Sequence, residues 1–454
     1  MLLEKIHNSG IVGAGGAGFP TAKKMNAKAE YLIINAAECE PLLKTDHYVM
    51  NHFAEECIKA ITEVGKMVEC ENIVIATKSH YHDEIASLES AIEKQNAPIT
   101  IHKMNNFYPA GDEQVMVYEV TGRTVPPTGI PLQVGCVVSN ITTMLNVYEA
   151  MTNDKPVTEK LVTITGAVNK PTMVLVPVGT PFSTCLELAG GTPLKQFIFL
   201  NGGPMMGKIG NHNNFNDQVV TKTTSGIIIL EEKEYLYQLH ERQINQIITQ
   251  AKAACIQCRL CTQLCPRYQI GIPLHPHQVM RHLATSNVPD DIDDDPIWKQ
   301  AILCCECGIC EVIACPMSLS PRQVNIYVKQ RLAEKGIRYQ YNGEELIPQP
   351  MREYQKTPPK NILLKMGLEQ YANNDLSELI THETEEVFIP LKMHIGAPCK
   401  ALVTKGDVVV KGQLIADIDE GVLGAPIHAS ISGTVICVSD SLIQIKKDVA
   451  LSWK

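Results

Sequence analysis

The sequence predicts a multidomain chain of α/β and α+β class. Strand and helix patterns alternate through the first 155 residues, and β-branched runs cut by Gly and Pro fill 160–232. Two four-cysteine runs then interrupt a helical stretch ahead of a β-rich end. With 454 residues there is room for three or four domains, at roughly 100–200 residues each.

The first domain, 1–158, reads as Rossmann-like. Short apolar strands are expected at 31–36, 72–76 and 99–102, and helices at 50–68 and 82–94. In the first helix Phe53, Cys57, Ile58, Ile61, Val64 and Val68 recur at helical spacing. Strand, helix, strand, helix, strand implies a sheet with crossover helices. The next domain, 159–234, has strands in LVTITGAV, MVLVPV, FIFLNGG and GIIIL and one helical patch at 182–189, a small α+β unit. Residues 235–337 are helical and hold the cysteine runs, and 338–385 reads as a Pro- and Gln-containing linker with one helical piece. In 386–454, ALVTKGDVVVKGQLIADI and GAPIHASISGTVICVSDSLIQI repeat one pattern of alternating apolar residues and glycine turns. Each half buries one face, so the pair suits a quasi-symmetric β-sandwich. No lysine occupies the exposed turn where a carrier module needs one, so the module reads as structural or docking.

Cys255, Cys258, Cys261 and Cys265 are spaced C-x2-C-x2-C-x3-C before Pro266, and Cys304, Cys307, Cys310 and Cys315 are spaced C-x2-C-x2-C-x4-C before Pro316. That is the ligand pattern of two [4Fe–4S] clusters, in which each fourth cysteine serves the other run's cluster. One cluster then takes Cys255, Cys258, Cys261 and Cys315, and the other Cys304, Cys307, Cys310 and Cys265. Two zinc sites are the alternative, and Cys305 competes with Cys304 as ligand. Cys57, Cys70, Cys136, Cys185 and Cys437 read as small core residues, while Cys39 and Cys399 stay undecided. The acidic stretch 290–295 reads as a solvated loop.

The net charge of −9 argues against nucleic acid, which needs a basic excess. Neither a signal peptide nor an apolar run long enough to span a membrane is seen, and sixteen cysteines then suggest metal in a reducing cytoplasm.

Gly13, Gly15, Gly16 and Gly18 form a glycine loop before Phe19. It matches G-x-G-x-x-G, but only Ile11 and Val12 precede it, so a Rossmann context is unconvincing and a plain turn is as good a reading. Glycine there permits close backbone approach to a phosphate or flat ring, and Lys23 and Lys24 either add positive charge or face water. Asn35, Glu38 and Glu40 follow the first strand, where open α/β sheets bind ligands; an acidic surface turn is the alternative. Asp46 and His47 are weaker candidates. Asn140 and Thr143 open a helix, as caps or as part of a phosphate site. His275 and His277, in the Pro-containing loop between the runs, read mainly as loop histidines, with metal ligation as the lesser alternative.

The phrases GIVGAGGAGFPT, LIINAAECEP, VVSNITTMLNV, LNGGPMMG and HIGAP…GAPIHASISGTV, with both cysteine runs, cover nearly the whole chain. Together they resemble the flavin- and NADH-binding subunit of respiratory complex I, and more closely the RnfC component of the Rnf electron-transport complex. The resemblance implies a flavin domain, a β-grasp soluble-ligand-binding (SLBB) domain, a ferredoxin-type two-cluster domain and a C-terminal β barrel-sandwich hybrid. It implies FMN at Gly13, Gly15, Gly16, Gly18, Asn35, Glu38, Glu40, Asn140 and Thr143, with Lys24 beside it, and NADH facing the glycine loop. In RnfC the HIGAP sandwich comes first, whereas here it comes last. That order looks like the cobalamin reductases of propanediol-utilisation microcompartments, and a proline-reductase electron-transfer protein is another relative. The resemblance thus implies an NADH-dependent cob(III)alamin/cob(II)alamin reductase reactivating B12 for diol dehydratase. An adenosyltransferase or microcompartment shell protein would be its partner. The alternative is an electron relay to a partner protein.

Overall fold

The computed structural model describes residues 1–448 except 234, 287, 289 and 290; Asp290 and the last six residues of the expected sandwich lie outside the described residues. The first sheet contains β1 (Tyr31–Asn35), β2 (Asn72–Lys78), β3 (Ile99–Met104) and β4 (Cys136–Asn140), all parallel, in the order β3-β2-β1-β4. β1, β2 and β4 are apolar on both sides, as parallel strands covered on both faces must be, whereas the edge strand β3 exposes Thr100 and Lys103. Leu32 and Ile34 enter one core with the helices Ala54–Met67 and Ile141–Asn153. Ile33 enters the opposite core, which the cysteine region closes through Cys265, Ile270, Ile272, Leu274 and Leu303.

The helix expected at 50–68 is two, Thr45–His52 and Ala54–Met67, because Phe53 (φ −131°, ψ 30°) leaves the helical region. The stretch expected to be helical ahead of the first cysteine run likewise divides, into Tyr235–His240 and Ile244–Ala254.

The second sheet is mixed, in the order β10-β6-β5-β9-β7-β8. Its strands are β5 (Glu159–Gly166), β6 (Thr172–Pro177), β7 (Phe197–Asn201), β8 (Lys208–Asn211), β9 (Gly226–Glu231) and β10 (Leu379–Thr381). The helix Phe182–Leu188 lies across it in a β-grasp arrangement, packing Phe182 and Cys185 against Val162, Val174 and Ile227. β10 belongs to the stretch expected as linker, and the helix Pro359–Met366 of that stretch buries Ile362 and Met366.

The last strands are β11 (Glu386–Pro390), β12 (Lys400–Ala401), β13 (Val408–Val409), β14 (Leu414–Asp417), β15 (Ile427–His428), β16 (Gly433–Val438) and β17 (Leu442–Lys446). They form the sheets β11-β17-β16-β13 and β12-β14-β15 around one apolar core. Cys437, expected inside, is exposed. A bulge between Val435 and Cys437 shifts the register, so residues of the same parity no longer share a face. Cys57, Cys136 and Cys185 are buried, Cys70 is half-buried, and Cys399 is buried with its thiol donating to Ala425 O at 3.2 Å. Among the described residues no helix is long and apolar enough to cross a membrane.

Candidate functional site: the switch-point crevice and the cysteine loops

β1 is followed by β2 on one side and flanked by β4 on the other, so the topological switch falls between β1 and β4. Their last residues, Asn35 and Asn140, stand in register. Ligands of open α/β sheets bind in the crevice at such a point. The loops here are bound to one another. Asn35 donates to Gly111 O (3.0 Å) and accepts from the Ala37 N–H (3.1 Å). Asn140 Oδ1 caps the following helix through the N–H groups of Thr142 and Thr143, and its amide donates to Asp46 at 2.8 Å. Thr142 Oγ1 donates to the other Asp46 oxygen at 2.7 Å. Asp46, a minor candidate in the sequence, thus joins the crevice's polar network.

The glycine loop lies between the helices Leu2–Asn8 and Thr21–Met25, ahead of β1, so it is no Rossmann fingerprint. Gly13 N–H donates to Phe19 O, and Gly13 O accepts from the Gly18 N–H. Ala14 is held at both ends, its N–H by Thr143 Oγ1 (3.0 Å) and its carbonyl by Lys160 Nζ (3.0 Å) from β5. A side chain at Gly15 would meet the Asn140 amide at 3.2 Å. Gly16, at φ +111°, faces open space. The crest of the loop is therefore bare backbone, suited to a flat cofactor. Lys24 is paired with Glu113 (2.6 Å) and donates to Val138 O (3.1 Å).

The acidic loop is drawn inward. Glu38 accepts the Asp46 N–H at 3.0 Å, and burial, with Asp46 nearby, pushes its carboxyl up to about 8. Its backbone carbonyl accepts from Lys78 Nζ (2.8 Å) and Tyr81 OH (3.1 Å). Glu40 Oε2 accepts the Met205 N–H at 2.9 Å, while Oε1 is buried with no hydrogen-bond partner among the described residues. Burial pushes Glu40 up to about 7. Gly203 makes room for it, since a Cβ there would fall 2.2 Å from Glu40. Lys160 carries no signal of its own in the sequence and Met205 only its place in the LNGGPMMG phrase, because their role depends on the second sheet's packing. His47 is tied to Glu84 at 2.7 Å.

The two cysteine runs trace one backbone path. Gln257 and Arg259 have positive φ (56° and 68°), as do Glu306 and Gly308 (62° and 83°) at the same offsets from Cys255 and Cys304. That correspondence aligns Cys304, rather than Cys305, with Cys255. N–H groups already point at sulfur: Gln257 Nε2 to Cys255 (3.1 Å), Glu306 N to Cys304 (3.3 Å) and Leu319 N to Cys315 (3.3 Å). Cys255, Cys258, Cys261 and Cys315 line one cavity. Burial, with Cys304 and Cys265 nearby, holds the Cys310 thiol well above the usual range. A bound metal would offset that cost, since its positive charge compensates the thiolates as their protons are released. Among the described residues, no three His, Cys, Asp or Glu side chains converge tightly enough for a lone ion. The extra residue of the second run is absorbed by a π-helical turn, Cys310–Ala314. Cys305 accepts from Cys307 and faces Arg267. His277 bonds Thr262 at 2.7 Å and His275 bonds Gln300 at 3.2 Å.

The second run adjoins the crevice. Tyr108 OH donates to Cys307 O at 2.9 Å, and Met205, whose N–H binds Glu40, sits against Gly308. Arg267, just after the first run, pairs with Asp112 at 2.9 Å. By contrast Cys255 and Cys315 pack on the helical core of Ile247, Val279 and Trp298.

Four family models match: a Nuo51 FMN-binding domain over 6–149, an SLBB domain over 161–208, a 4Fe-4S dicluster domain over 254–320 and an RnfC barrel sandwich hybrid domain over 368–451. The cobalamin reductase PduS of Citrobacter freundii is 36% identical over 442 residues, 97% of this chain and 95% of that protein. Its namesake from Salmonella typhimurium is 37% identical over 444 residues, again 97% and 95%. A component of the ion-translocating oxidoreductase complex of Haemophilus influenzae is 34% identical over 270 residues, 58% of this chain and 38% of that one. With an FMN-binding domain beside a 4Fe-4S dicluster domain, the chain belongs to the RnfC- and Nuo51-like family of flavin iron–sulfur electron-transfer oxidoreductases that includes PduS.

Proposed function

We propose that this chain is an NADH-dependent cobalamin reductase, converting cob(III)alamin to cob(II)alamin. The observation that carries the reading is end-to-end likeness, at 97% coverage, to proteins named cobalamin reductase, against 58% coverage for the ion-translocating component. When bound, FMN accepts a hydride's two electrons and the clusters pass them on singly.

The chain's own residues position these groups. Gly13, Gly15, Gly16 and Gly18 offer bare backbone to the flavin, while Asn35, Asn140 and Thr143 hold the surrounding loops. Glu38 and Glu40 orient flavin and NADH. Burial raises the carboxyls to about 8 and 7, so around neutrality Glu38 is mainly protonated and Glu40 about half so, and in that form each can donate a hydrogen bond. Lys24 contributes background positive charge only, since Glu113 pairs it. The cluster ligands are Cys255, Cys258, Cys261 and Cys315 for one, and Cys304, Cys307, Cys310 and Cys265 for the other. In the cell the reading places the chain in the cytoplasm, inside a microcompartment, with an adenosyltransferase or shell protein as partner.

The test is an anaerobic assay of reconstituted protein with NADH and hydroxocobalamin, following the cobalamin bands. Rapid formation of cob(II)alamin, lost in C258A and C307A, is expected. If NADH bleaches flavin and clusters while cobalamin stays oxidised, the chain is a relay to a partner protein.

A further inference from the structure

The two cysteine groups differ in access to solvent. Cys265, Cys307 and Cys310 are buried, whereas Cys258 is exposed. The second group adjoins the crevice through Tyr108 and Met205, whereas Cys255 and Cys315 of the first pack on the separate helical core of Ile247, Val279 and Trp298. Electrons entering at the crevice therefore have their open exit beside Cys258.

The surface there has a definite chemistry. Ile256 and Met317, lining the same cavity as the four thiols, are 60% and 42% exposed. Neighbouring Leu260 is also exposed. Large apolar side chains held in water beside a site mark a binding surface when they are contiguous. The cavity's lining includes Arg259 and no carboxylate among the described residues. Arg281, exposed, stands four residues beyond the lining residue His277 on the helix Pro276–Thr285 and so on the same face of it. On a chain of net charge −9 this mouth is locally cationic.

We propose that cobalamin docks on this mouth, its corrin edge on Ile256, Leu260 and Met317 and the phosphodiester of its nucleotide loop on Arg259 and Arg281. The dock rests on the reductase reading above and adds where the acceptor sits. An apolar rim with two guanidinium groups fits a broad, methyl-bearing macrocycle that carries a single phosphate anion. Each NADH supplies electrons for two hydroxocob(III)alamins. Both become cob(II)alamin and both axial hydroxides leave as water, taking one proton from the NADH oxidation and one from solvent.

The experiment is equilibrium dialysis of hydroxocobalamin against the flavin- and cluster-loaded full chain, anaerobically and at two salt concentrations. Wild type is compared with R259Q/R281Q and with I256D. Iron content and NADH bleaching of the bound flavin are checked in each. The expected result is about tenfold weaker binding in both variants, with the salt dependence lost in the arginine pair and flavin bleaching unchanged. If wild type binds and reduces cobalamin and the variants bind it equally well, the dock is elsewhere and the reductase reading stands. If wild type neither binds nor reduces it, the reductase reading fails and takes the corrinoid dock with it.

Discussion

Glu40 has one oxygen bonded by the Met205 N–H and the other enclosed without a partner among the described residues, the arrangement of a group that awaits a ligand or a proton. Burial raises its carboxyl from 4.5 to about 7. The folded chain then keeps its proton over a range where the unfolded chain has lost it. For an acid shifted upward, stability falls as pH rises from about 4.5 to about 7. The flavin-free protein should therefore lose Tm between pH 5 and pH 7.5, and E40Q should lose less. Equal losses in both would show that Glu40 does not titrate in the fold. The same enclosure leads to a second expectation: E38A and E40A should purify with less FMN or show a raised KM for NADH. Full FMN and unchanged NADH kinetics in both would remove them from the site.

At the scale of elements, Asn140 ends β4, caps the next helix and holds Asp46. Replacing a cap by alanine costs about 1 kcal/mol, and a buried acceptor stripped of a partner costs roughly 1–3 kcal/mol more. N140A should lower both Tm and flavin content. N140D, which keeps the cap but brings a second carboxyl to Asp46, should preserve Tm better than it preserves flavin. A variant pair with matched losses would reduce Asn140 to a cap. Much of this frame is legible in sequence, because the buried parallel strands β1 and β2 leave apolar runs and metal spacing is set by covalent reach, but β4, a short run leading straight into a helix, is not among the expected strands. What is not legible has identifiable causes. The break at Phe53 and the outward turn of Cys437 are one-residue events, invisible to periodicity. Lys160 and Met205 reach the crevice only because the second sheet packs beside the first, and β10 joins that sheet from a stretch of weak pattern.

Across the whole molecule, the crevice is held by parts far apart in sequence. Ile395 of the HIGAP phrase donates its N–H to Gly18 O at 2.9 Å. Gly18, at φ +66°, leaves no room for a side chain, since a Cβ would sit 2.8 Å from Thr223. Beneath the loop, buried Lys222 donates to Gly10 O (2.6 Å) and Pro426 O (2.7 Å). One amine, brought down by burial to about 7 and so partly charged at neutrality, thus joins the stretch ahead of the glycine loop to the C-terminal sandwich. Such hydrogen bonds are worth about 1 kcal/mol each from a neutral donor and about 1.5–3 kcal/mol from a charged one. K222M keeps the length and loses both, so the sandwich should loosen from the loop. FMN affinity should fall on the order of tenfold, about the 1.4 kcal/mol of one weakened contact. The EPR signals of the clusters should persist, because the cysteine loops fold against other helices. A drop in Tm with FMN affinity intact would make Lys222 a structural tie only, and the sandwich would then have no part in shaping the flavin site.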